Sequence, residues 1–126
     1  MLERDKHRVH LADFGTGILA GLAAEGIKSI HVTHLDAALV KAFEFLETQD
    51  CDLRFHISLH EIHGDAPEAR RAIGGAVSRG LGNFDNDRTL YLSISKDAAP
   101  LYFKGLPLDE NIWRQAAREV LSLYNW

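Results

Sequence analysis

The segment from Asp52 to His63, Asp-Leu-Arg-Phe-His-Ile-Ser-Leu-His-Glu-Ile-His, gathers the side chains most able to do chemistry. Coiled as a helix, it would place His56, His60 and His63 on one face at i, i+4 and i+7, close to a metal site. Extended as a strand, it alternates Leu53, Phe55, Ile57 and Leu59 with Arg54, His56, Ser58 and His60. That alternation is unbroken over eight residues, which predicts a half-buried strand over 52–61. Four strand residues span about 13 Å, too far for His56 and His60 to grip one ion between them.

Where that strand ends and the chain turns, His60, Glu61, His63 and Asp65 follow in quick succession. A His/carboxylate set with an open coordination position suits a catalytic zinc or iron. A divalent metal at His60 and His63, with Asp65 or Glu61 as further ligand or as base, would make a small metal-dependent enzyme. The spacing is His-Glu-Ile-His rather than His-Glu-x-x-His, and no cofactor is otherwise expected.

Thr89 to Ser95 alternates in the same way, Leu90, Leu92 and Ile94 against Tyr91, Ser93 and Ser95. Neighbouring strands bring same-face side chains to about 4.5–5.5 Å. Paired, the two segments would join Arg54, His56, Ser58, His60, Tyr91, Ser93 and Ser95 on one polar sheet face. Such a face offers donors, an imidazole and a cation, suited to a small anionic ligand or to a second copy of the chain.

Composition limits the classes open to this chain. Its 126 residues, 46% hydrophobic and 25% charged, fit a single globular domain, with a charged tail over residues 1–7. No apolar run approaches a membrane span, and no apolar stretch follows the charged start as a secretory signal would require. Cys51 is the sole cysteine, which excludes an internal disulfide and a Cys-x-x-Cys pair. A cytoplasmic protein is therefore expected. The net charge of −4 argues against nucleic acid, although Arg70, Arg71 and Arg79 could form a local basic patch. Protonating all seven histidines would turn −4 into +3, so the sign changes in mild acid.

The remaining elements follow from periodicity and punctuation. Val9 to Phe14 fits a short strand or the first turns of a helix. Gly15-Thr16-Gly17 predicts a break, with Thr16 capping a helix from Gly17 to Glu25 and Gly26 stopping it. That turn could also cradle a phosphate, which would make a nucleotide-binding domain with Asp36 as its ribose acid. Ile27–Val32 reads as a strand. Thr33-His-Leu-Asp36 fits a capping box in type, ahead of a helix that buries Leu35, Leu39, Ala42 and Leu46. Asp65 and Pro67 open the next helix, and Gly80 and Gly82 end it. Lys96-Asp-Ala-Ala predicts a hairpin loop into a strand at Leu101–Lys104. Asp109 caps the last helix, with Ile112, Ala116 and Val120 on one stripe and Trp113, Ala117 and Leu121 beside it. Beyond it, Tyr124 and Trp126 either dock on the core or form an interface.

Strands with one wet face argue against a doubly wound parallel sheet. They predict an α+β two-layer sandwich, about four helices on one face of a mixed or antiparallel sheet of three to five strands. The order strand-helix, three times over, then hairpin and helix, is similar to that of thioredoxin-like folds, without their redox motif. A faint similarity to imidazoleglycerol-phosphate dehydratases covers Leu35-Asp36, Asp52-Leu53, His63 and the Gly74 to Gly82 helix tail. That family's paired His-His and Glu-Asp ligands would fall at His63-Gly64 and Pro67-Glu68, which leaves no manganese site. Taken together, the residues point to a non-catalytic, self-associating binding or interaction module using the polar face. The metal-dependent enzyme and the Gly15–Gly17 nucleotide domain are the alternatives.

Overall fold

The computed structural model describes residues 7–60, 64–85 and 88–124. The chain order is β1 (His7–Val9), α1 (Leu11–Ala24), β2 (Ser29–His31), a 3-10 turn (Val32–His34), α2 (Leu35–Glu47) and β3 (Cys51–Leu53). It continues with α3 (Pro67–Ser78), β4 (Gly82–Phe84), β5 (Thr89–Leu92), α4 (Ala99–Phe103) and α5 (Glu110–Leu121). The fold is α+β, as the one-wet-face strands predict. The strands form two small sheets, a parallel β1–β3 pair and an antiparallel β2–β5–β4 sheet. Among the described residues no single sheet gathers them, as a thioredoxin-like order would require. No helix among these residues is long and apolar enough to cross a membrane.

Helix α1 is the centre of the molecule. It packs against α3, α4 and α5, and α2 closes on α3 and α5. Every residue from Gly17 to Ala24 is buried. Asp13 accepts from the His10 N–H at 2.9 Å to fix its first turn. Gly26, at φ +87°, ends it, with the Ile27 N–H reaching back to the Leu22 carbonyl as in a Schellman stop.

The break expected at Gly15–Gly17 does not occur, because helix α1 runs straight through it. A Cβ on Gly15 would strike the Ala72 carbonyl of α3, and one on Gly17 would enter the Trp113 ring. A Cβ on Gly21 would lie 2.7 Å from the Trp113 carbonyl oxygen and 2.8 Å from the Ala117 Cβ. These glycines let three helices approach closely, and tertiary contact outweighs a helix cost of about 1 kcal/mol each. Trp113, fully buried, donates its indole N–H to the Pro107 carbonyl at 2.7 Å.

Glu25, just past α1, ties it to α5. Its carboxylate is bound by Arg114 and Arg118, each at 2.9 Å. Burial alone would push this carboxyl up, yet hydrogen bonds and charge from the two guanidinium groups hold it below its ordinary range.

Several local expectations are revised. The long strand over 52–61 pairs only at Cys51–Leu53; residues 54–60 carry no ladder, and the chain bends at Phe55. The in–out alternation itself holds as far as Ile57, which is buried while Arg54, His56 and Ser58 are exposed. The predicted strand at Leu101–Lys104 is helix α4, because Ala99 and Phe103 reach the core one helical turn apart. Helix α2 buries the predicted Leu35, Leu39, Ala42 and Leu46. Its N-cap, however, is His34, with Thr33 held in the 3-10 turn. Helix α3 is capped by Ala66 rather than Asp65. Asp109 does precede α5, whose buried residues are Trp113, Ala116, Ala117 and Val120.

Candidate ligand-binding cleft

The expected polar face is split by topology. Strand β3 pairs with β1 whereas β5 lies between β2 and β4, and His56 lies past the end of β3 in unpaired chain, so it shares no sheet with Tyr91. Arg54 pairs with Asp52 at 3.5 Å, and the His56 ring stands edge-on to Phe43 at 5.3 Å. Tyr91, Ser93 and Ser95 stay together and line a groove of about 420 Å³ with Lys28 and Lys96. The Ser95 hydroxyl in that groove accepts from the Ala98 N–H at 3.1 Å.

The proposed metal ligands are reached only in part. The His60 N–H donates to the Asp65 carbonyl and the Gly64 N–H to the His60 carbonyl, which closes a tight loop. His63 and Glu61 lie outside the described residues, within which no three His, Cys, Asp or Glu side chains gather as ligands. The Gly15–Gly17 turn is absent, since both residues are interior to α1 and packed on Ala72 and Trp113. The basic patch also disperses. Arg71 pairs with Glu68 at 3.2 Å, and Arg79 donates to the Ala12 carbonyl and the Thr16 hydroxyl.

Tyr124 docks onto the core. Its hydroxyl donates to the His31 carbonyl at 2.7 Å, and its ring meets His34 edge-on at 6.0 Å. Burial pushes its phenol up to about 12. Trp126, the other residue expected at an interface, lies outside the described residues.

The strongest concentration of binding features lies elsewhere, where the 3-10 turn, the start of α2, the start of α3 and the β4–β5 turn meet. Two adjoining lobes share Val32, Asp36, Arg70 and Arg88. The first holds about 320 Å³ and adds Leu35, Ile73 and Phe84 as apolar walls. The second holds about 390 Å³ and adds Thr33, His34, Gly64 and Asp65.

Asp36, predicted to cap its own helix, instead joins two segments at this cleft. Its Oδ2 accepts from Arg70 Nε at 2.9 Å and from the Ala66 N–H at 3.1 Å. This bond supplies the start of α3 with the acceptor that Asp65 was expected to give. Arg70 is thereby positioned, with 65% of its side chain still exposed.

Arg88 is held from both sides of its backbone. Its N–H donates to the Asp85 carbonyl at 3.2 Å, and its carbonyl accepts from the Val32 N–H at 3.0 Å. Its φ of +65° lies in the left-handed region that non-glycine residues rarely enter. The other such residue among those described, Leu108 at φ +73°, packs its side chain against the core, which offsets the strain. Arg88 is exposed and has no such compensation. Among the described residues, none binds its guanidinium group. Strain kept at an exposed cation beside a cavity is characteristic of a binding site.

Sequence reasoning missed Arg88, Phe84 and the Asp36–Arg70 link. Asp36 and Arg70 are 34 positions apart, and no local pattern connects them. Comparison with protein-family models, curated proteins and solved structures yields no match.

Proposed function

We propose that this chain is a non-catalytic binding module, and that it takes a small ligand with an anionic group in the two-lobed cleft. The observation that carries this reading is Arg88, a strained, exposed guanidinium at the junction of an apolar and a polar lobe. Guanidinium groups grip carboxylates in bidentate fashion, and Arg70 supplies a second fork already oriented by Asp36. Lobes of about 320 and 390 Å³ lie within the range of small-ligand sites, and apolar walls with few polar groups are the usual lining.

Isothermal titration with 4-methylpentanoate and phenylacetate tests this, beside thermal melting. Both probes are expected to bind and to raise the melting temperature, and Arg88→Ala is expected to weaken binding at least tenfold. Failure of every carboxylate and amino-acid probe to bind, or equal binding by Arg88→Ala, would overturn the reading.

A further inference from the structure

From the charges in the second lobe we infer the ligand class: an α-amino acid with an apolar side chain, bound as its zwitterion. The inference rests on the cleft being a ligand site, and it adds the ammonium group and the side chain to the carboxylate. Among the described residues, four charged side chains line this lobe, Arg70 and Arg88 against Asp36 and Asp65. The Arg70–Asp36 pair, joined through Nε at 2.9 Å, cancels in charge. What remains is one cation, Arg88, and one anion, Asp65, whose carboxylate is bound by no side chain among the described residues.

A lobe with one such group of each sign is poorly matched to a dianionic phosphate, which Asp65 would repel across a partly desolvated space. It is equally poorly matched to a simple cation, which Arg88 would repel. A zwitterion satisfies both: its carboxylate faces Arg88 and its ammonium group faces Asp65. The carbon between those two groups carries the side chain, and the adjoining lobe walled by Val32, Leu35, Ile73 and Phe84 receives an isobutyl or benzyl group. Against the Val32, Leu35, Ile73 and Phe84 side of that lobe, a charged or amide side chain would lose its water without a partner.

Titration of the whole chain with L-leucine, 4-methylpentanoate (the same skeleton without the amine) and 3-methylbutylamine (without the carboxylate) tests the inference. L-leucine is expected to bind at least tenfold more tightly than either analogue, and L-glutamate not measurably. Asp65→Asn should weaken L-leucine about tenfold and leave 4-methylpentanoate bound at least as tightly, with the melting temperature showing that the variant is folded. If 4-methylpentanoate binds as tightly as L-leucine, or Asp65→Asn leaves L-leucine binding intact, the zwitterion is refuted while the anion-binding cleft stands. If neither L-leucine nor the carboxylates bind, the cleft reading itself fails.

Discussion

Replacing Arg88 by glycine should make the protein more stable and less able to bind. A non-glycine residue in the left-handed region loses about 1–2 kcal/mol, and Arg88 sits there at φ +65°. Glycine removes that penalty but gives back about 0.5–1 kcal/mol through its freer unfolded chain. The net gain is about 0.5–1 kcal/mol, since no described contact of the side chain is lost. Unfolding entropy of about 2.1 cal/mol/K per residue, taken over 126 residues, converts 1 kcal/mol into about 4 °C. Arg88→Gly should therefore melt about 2–4 °C above the parent by calorimetry. Arg88→Ala keeps the strained backbone and should melt within about 2 °C of the parent, by the same conversion. Both variants lose the guanidinium group, so both should lose at least tenfold in affinity for 4-methylpentanoate. If Arg88→Gly melts below the parent, the side chain supports the fold and the argument from stored strain is refuted.

Gly17→Ala should destabilise by about 1–2 kcal/mol in urea unfolding, because overpacking against Trp113, up to about 3 kcal/mol, exceeds the helix gain of about 1 kcal/mol. Gly74→Ala, where an added Cβ meets nothing within 4 Å, should instead stabilise by about 0.5–1 kcal/mol. The Glu25 carboxyl is held below its ordinary 4.5, so its stabilisation is complete above that value and fades as pH falls through the lower folded one. Glu25→Gln should lose about 1.5 kcal/mol at pH 7, and its stability should fall less steeply than the parent's below pH about 4.5. Tyr124→Phe should cost about 1 kcal/mol at neutral pH. It should also remove a stabilisation that, with a phenol raised from 10.0 to about 12, is lost as pH rises through that window.

Much of the fold was legible because burial leaves a periodic trace. Helix α2, helix α5 and the Gly26 stop follow from apolar spacing and one positive-φ glycine. The errors share a cause. Alternation over residues 53–57 reports which side chains face inward, and Phe55 indeed packs between Phe14 and Phe43 at 5.3 Å from each. It does not report whether a backbone partner lies alongside, and beyond Arg54, whose N–H reaches the Val9 carbonyl, the ladder stops. The glycines of α1 mislead for the complementary reason. Locally Gly15 and Gly17 weaken a helix, whereas their value appears only when Ala72 and Trp113, from residues far along the chain, press against them.

The cleft was least legible, and its construction explains why. Its walls come from Val32–Asp36, Gly64–Ile73 and the β4–β5 turn, segments that no periodic pattern joins. Asp36 illustrates the difficulty: Thr33 to Asp36 has the residue types of a capping box, yet the carboxylate turns away to hold Arg70 and the start of α3. A residue whose side chain could satisfy its own helix is thus spent on joining two segments, and the reward is a guanidinium group fixed beside an apolar cavity. Arg88 has the same character, its backbone held in a costly conformation by Asp85 and Val32. The Arg88 arrangement is not what stability alone would select, because a glycine at residue 88 would adopt the same backbone without strain. On the proposed binding role, a variant that relaxes Arg88 should trade affinity for stability.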